Sequence, residues 1–192
     1  DTKTPVIIRG LQDDALIAGA KTMEDAISMF GDQKFEVVEE YVSKFRKDDS
    51  FVQEPQTWSL EKYLRTVEAD KDTVYCVREF NTPDRILEAL KIPDLVKVRD
   101  DAEVTSNIFM ANESNTAQMH FDGDHLHVFL YQVFGRKRII MISPEQARKL
   151  NPVLNQSWLM LQNYTEEEKQ HFVESTGAWD YTLEPGDTVY FP

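Results

Sequence analysis

The sequence predicts a mainly β fold, with an all-β core in its second half and an α/β cover in front of it. Three observations lead there. Residues 105–192 carry a succession of short apolar runs (Asn107 to Ala111, Val128 to Phe134, Ile139 to Ile142, Thr188 to Phe191) separated by turn residues. The first hundred residues instead mix helix-period segments with isolated strands. No internal repeat, low-complexity tract or linker divides the chain. Its 192 residues therefore read as one domain, with 1–104 as cover and 105–192 as core.

In order along the chain, Thr4 to Gly10 (TPVIIRG) is a β-branched run closed by glycine, a first strand. Lys21 to Phe30 places Met23, Ala26, Ile27 and Phe30 at helical spacing, and Gly31-Asp32 stops it. Phe35 to Val38 reads as a strand and Gln53 to Gln56 as a loop. Thr57, with Ser59 as the rival, caps a helix carrying Leu60, Tyr63, Leu64 and Val67 on one face. Thr73 to Phe80 alternates as a strand, and Pro83 opens a short helix through Leu90. After the strand Asn107 to Ala111 comes a polar loop, Asn112 to Thr116. Beyond Ser143-Pro144, a helix from Glu145 to Leu150 is expected. Thr165 caps an acidic helix, Glu166 to Val173, whose first-turn carboxylates complement the helix dipole. Pro185-Gly186-Asp187 is a turn feeding the last strand.

Composition excludes several function classes. With 34 acidic against 21 basic residues the formal charge is −13, so nucleic acid would be repelled. The one compact basic cluster, Arg136 to Arg138, is too short for a binding stripe. No apolar run approaches the roughly 20 residues of a membrane span. Cys76 is the only cysteine, which leaves no intrachain disulfide and no thiolate zinc site. A reducing compartment is expected, the cytoplasm first, with the nucleus also open. The chain begins at Asp1 and ends inside an apolar run at Phe191-Pro192, so both ends read as cut.

The chemistry concentrates between Gln118 and Pro144, QMHFDGDHLHVFLYQVFGRKRIIMISP. On a strand, His120 and Asp122 would share one face and Phe121 would turn away. An imidazole and a carboxylate side by side are two thirds of the 2-His-1-carboxylate triad of non-haem Fe(II) oxygenases. Taken alone, the pair reads as a surface or capping pair rather than a metal site, and Lys137 fits a solvated hairpin lysine. Trp158, Tyr164, Phe172 and Trp179 read as packing.

Taken together, the H-F-D at His120 to Asp122, the Q-V-F-G-R-K-R at Gln132 to Arg138, Ser143-Pro144 and the L-E-P-G-D-T-V-Y-F-P at Leu183 to Pro192 resemble the JmjC and cupin-like family of Fe(II)- and 2-oxoglutarate-dependent oxygenases. The resemblance is strongest over residues 105–192. It implies a double-stranded β-helix (cupin or jelly-roll) core, with His120 and Asp122 as the first two iron ligands. It also implies that Lys137 pairs with the distal carboxylate of 2-oxoglutarate, with Thr116 as a further co-substrate contact. The third ligand of the family, a histidine following P-G-D, would fall a few residues beyond Pro192. His171 precedes that motif, and His125 and His127 lie beside the pair. By its parity His127 is expected to face away from the co-substrate. Three departures accompany the match: no later histidine, apolar Val128 and Leu130 where many members carry Asn, and Ala117 at the usual Thr position. The expected activity is hydroxylation, or demethylation by hydroxylation, of a protein side chain or a small molecule. The alternatives are a non-catalytic cupin-like binding module that has lost the complete triad, and a cupin metalloenzyme that uses no 2-oxoglutarate.

Overall fold

The computed structural model describes residues 4–11, 20–40, 54–90, 92–97, 103–113, 115–117, 119–122, 126–150, 157 and 159–191. Nine antiparallel strands are found among them: β1 (Val6–Arg9), β2 (Lys34–Glu40), β3 (Gln56–Ser59), β4 (Val74–Asn81), β5 (Asn107–Ala111), β6 (Val128–Tyr131), β7 (Lys137–Met141), β8 (Trp179–Leu183) and β9 (Asp187–Phe191). The helices are α1 (Met23–Phe30), α2 (Leu60–Ala69), α3 (Asp84–Leu90), α4 (Pro144–Ala147) and α5 (Glu166–Thr176). No helix among the described residues is long and apolar enough to cross a membrane. The chain divides into two compact units, residues 1–11 with 116–192, and residues 12–115.

In the first unit the strands lie in two sheets, β1-β9-β6 and β7-β8. The chain runs from one sheet (β6) through both strands of the other (β7, β8) and back (β9), the winding expected of a jelly-roll core. Register shows which faces look inward. Leu130 pairs with Val189, and Val189 with Ile7, so these three share a face, and Val189 is wholly buried. Lys137 pairs with Leu183 and Ile139 with Tyr181, so these four share a face of the other sheet. Asp187 lies two residues before Val189 and pairs with Arg9. The Tyr181 hydroxyl donates to Asp187 Oδ2 at 3.2 Å and accepts from Arg9 Nη2 at 3.1 Å. That bond joins the two faces, which therefore turn toward one another.

On the opposite face of β7 and β8, Arg138 makes two hydrogen bonds to Asp180, at 2.9 and 2.7 Å, and a third to Glu166 on α5. Thr165 and Glu168 form a capping box at the start of α5, and Gly177, left-handed at φ 64°, ends it. The acidic first turn thus does two jobs, complementing the dipole and binding Arg138.

The second unit is a sheet of order β3-β2-β4-β5 with α1, α2 and α3. Thr22 and Asp25 form a capping box on α1. Ser59, not Thr57, caps α2: Gln56 to Ser59 is a strand paired with β2, so Thr57 is held extended and the cap falls at the strand's end. Tyr63 on α2 donates to the carbonyl of Tyr75 at 3.2 Å. Burial raises the Tyr63 hydroxyl pKa, with a smaller contribution from nearby Cys76. In β4 the register slips between Val77 and Phe80, where Glu79 takes φ 36°. Two strands lie across the expected boundary between cover and core. Asn107–Ala111 pairs with β4 in the second unit, and Val6–Arg9 pairs with β9 in the first.

Candidate metal and co-substrate site

His120 does not lie on a regular strand. It is an isolated bridge residue, and Phe121 and Asp122 are irregular. The alternation expected from H-x-D is therefore not set by a strand at this pair. Phe121 is accordingly 51% exposed. The segment is nonetheless tied down just before the pair: Ser157, itself buried, donates its backbone N–H to the Met119 carbonyl at 2.9 Å.

His120 Nε2 and Asp122 Oδ1 lie 3.7 Å apart, with the two side chains 45% and 65% exposed. That is too long for a hydrogen bond. Two donors about 2.1 Å from one cation at a right angle would lie about 3 Å apart. One nitrogen and one carboxylate oxygen suit iron or a similar divalent ion. Among the described residues no third His, Cys, Asp or Glu joins them. Asp124 and His125 lie outside the described residues.

Lys137 and Arg138 are not part of a turn, as the sequence suggested; the turn is at Phe134-Gly135, and both basic residues belong to β7. Gly135 takes φ 63°, and the Cβ of any other residue would be strained there. Successive residues of a strand point to opposite faces. Lys137 therefore faces inward with Ile139, Tyr181 and Leu183, while Arg138 faces outward to Asp180. Lys137 is exposed as a residue, yet burial among neighbouring protein atoms desolvates it enough to lower its pKa.

Across the interior, Val128 and Leu130 share the inward face with Phe191 and Val189. That side of the space is apolar, as their side chains require. His127 lies on the other face: its Nδ1 is 2.7 Å from the Tyr190 hydroxyl and its ring stacks on Tyr190 at 5.9 Å. Thr116 is exposed in an irregular segment and forms no hydrogen bond with a described residue. His171 is exposed on α5. Phe172 on the same helix is buried, Trp179 and Tyr164 are half-buried, and Trp158 lies outside the described residues.

Sequence reasoning did not single out Arg9, Tyr181 or the side chain of Asp187. Asp187 Oδ2 also accepts from the Glu184 N–H at 3.1 Å, and Arg9 Nε lies 3.7 Å from Oδ1. This cluster ties β1, β8 and β9 together. Its one sequence signal was the Asp of P-G-D, read only as a turn.

Two antiparallel sheets wound in this order, with a lysine aimed between them, define a domain of the jelly-roll class. The family model for the cupin-like domain matches residues 1–192, and the chain belongs to that family.

Proposed function

We propose that this cupin-like domain is an Fe(II)- and 2-oxoglutarate-dependent oxygenase that hydroxylates a protein side chain or a small molecule. The observation that carries the reading is the 3.7 Å approach of His120 Nε2 to Asp122 Oδ1. The inward Lys137 of the same unit supports it.

Iron with 2-oxoglutarate and oxygen supplies an oxidant able to break an unactivated C–H bond, with release of carbon dioxide and succinate. His120 and Asp122 are the metal donors. Lys137 holds the distal carboxylate of the co-substrate, because a carboxylate in an apolar space is costly without a fixed cation. Leu130, Val189 and Leu183 exclude water there, which strengthens that ion pair. Tyr181, Asp187 and Arg9 hold the two sheets in register around it. The apolar Val128 and Leu130, in place of Asn, favour the alternative of a binding module without turnover.

One experiment separates the two. The protein is supplied with Fe(II), 2-oxoglutarate and oxygen, and succinate is measured with and without oxygen. Oxygen-dependent succinate that disappears in His120→Ala supports the oxygenase. Succinate formation equal in the two proteins refutes it, and its absence in both returns the domain to the binding-module reading.

A further inference from the structure

The second unit carries a cavity of about 240 Å³, lined by Val37, Glu39, Glu54, Gln56, Trp58 and Tyr75. Strand register explains the assembly. Val37 pairs with Gln56 and Glu39 with Tyr75; Trp58 lies two residues after Gln56, and Glu54 two before it. One face of β3, β2 and β4 therefore presents an apolar floor, two aromatic rings and two carboxylates. The volume is below the roughly 300–1,000 Å³ of pockets that take drug-sized ligands, and suits a single side chain.

The aromatic walls are held in place. The Trp58 indole N–H donates to Gln56 Oε1 at 3.1 Å, and the Tyr75 hydroxyl donates to Asp70 Oδ2 at 3.1 Å. The rings of Trp58 and Tyr75 lie 5.4 Å apart, tilted by 43°. The indole already accepts an ammonium from its own chain: Lys62 Nζ lies 4.1 Å from the ring centroid, and Lys62 is not among the residues lining the cavity. Neither the Glu39 nor the Glu54 carboxylate forms a hydrogen bond or salt bridge with a described residue. Aromatic faces and carboxylates both attract cations, and the chain's charge of −13 adds a long-range pull of the same sign.

We infer that this cavity binds a basic side chain of a peptide, with its ammonium between Glu39 and Glu54 and its alkyl stem against Trp58 and Tyr75. The inference rests on the proposed function only in naming that peptide as a substrate; the binding itself needs neither iron nor 2-oxoglutarate. The test is calorimetric titration of the metal-free protein at low salt with acetyl-Gly-Lys-Gly-amide, with the same peptide carrying norleucine, and with butylamine. The lysine peptide should bind one to one, at least tenfold more tightly than either control, and weaken as salt is added. The double variant Glu39→Gln/Glu54→Gln should lose about tenfold with an unchanged Tm. Equal binding of the norleucine peptide, or full binding by the double variant, overturns the cation site. Butylamine binding as tightly as the peptide overturns the peptide assignment. The norleucine comparison uses the unaltered protein, so it decides the matter even if the variant folds poorly. Lysine-peptide binding without succinate formation would remove the oxygenase and leave the cavity standing.

Discussion

Replacing Lys137 by Met tests the co-substrate role and the electrostatics together. Methionine keeps an unbranched stem beside Ile139, Tyr181 and Leu183 and removes only the charge. A charge-assisted hydrogen bond to a carboxylate contributes about 1.5–3 kcal/mol. Lys137→Met should therefore weaken 2-oxoglutarate by about tenfold to a hundredfold, with metal content unchanged. Anaerobic titration of the Fe(II) protein with 2-oxoglutarate reads that loss directly. A pH series adds a second readout. Burial lowers the Lys137 pKa from 10.5, so the ammonium is lost at a lower pH than from a solvated lysine. Affinity should fall as pH rises through that lowered value. Stability should move the other way. The folded chain holds this proton less tightly than the unfolded chain does, so the cost of the buried charge is fully present below the folded pKa. Stability then rises with pH between the folded pKa and 10.5. Lys137→Met lacks that slope. An unchanged 2-oxoglutarate dependence would refute the co-substrate role, and a Tm several degrees lower would mean that the ammonium serves a structural ion pair.

Three further outcomes are expected. His120→Ala should abolish the weak visible band that Fe(II) and 2-oxoglutarate give anaerobically, while urea unfolding stays as in the parent; a retained band removes His120 from the metal. Leu183 is wholly buried, so Leu183→Ala should cost about 2–5 kcal/mol in urea unfolding, and a cost near zero would mean that the space between the sheets is not packed at that level. A double-mutant cycle on Arg138 and Asp180 should give a coupling of about 1 kcal/mol that shrinks in salt, because the side chains are 35% and 22% exposed. In the same network Lys169 and Arg138 hold the Glu166 carboxyl pKa low, so its contribution is present above the usual carboxylate range and lost as pH falls through the lowered value.

What could be read in the sequence was mostly local. Helical spacing of Met23, Ala26, Ile27 and Phe30 announced α1, and the cap at Thr165 announced α5, because both signals are complete within a few residues. Apolar runs gave β6 and β9, and Gly135 gave the turn before β7. Pairing across long separations could not be read. That β1 crosses the chain to join β9 depends on register, not on anything within TPVIIRG. Tyr181 becomes a neighbour of Asp187 and Arg9 only once β8 is paired with β7 and β9 turned back over it. The H-x-D pair shows the converse failure. Its spacing suggested a strand, and the chain there is an isolated bridge followed by irregular backbone, though the two donors still approach one another. Lys137 was located by its motif, but its inward aim needed the strand to begin there rather than two residues later.

The slip in β4 has a use as a phase shifter. Tyr75 and Val77 occupy odd positions, yet Phe80, at an even one, packs edge-on against Phe35, with ring centroids 5.5 Å apart. Phe35 is on the same face as Val37, the cross-strand neighbour of Gln56 in the cavity floor. Because two residues of β4, Arg78 and Glu79, stand opposite Phe109 alone, Phe80 keeps the face of Val77; regular alternation through both would send it to the side where α2 lies against Cys76. The left-handed backbone at Glu79, which costs a non-glycine residue of order 1 kcal/mol, is the expense of that inversion. The bulge thus lets the strand carry one residue more than its partner without a change of face. Glu79→Gly should be tolerated or slightly stabilising, and deleting the same residue should leave Phe80 and Asn81 on their present faces, because two steps from Val77 would then match the two from Met110 to Ile108.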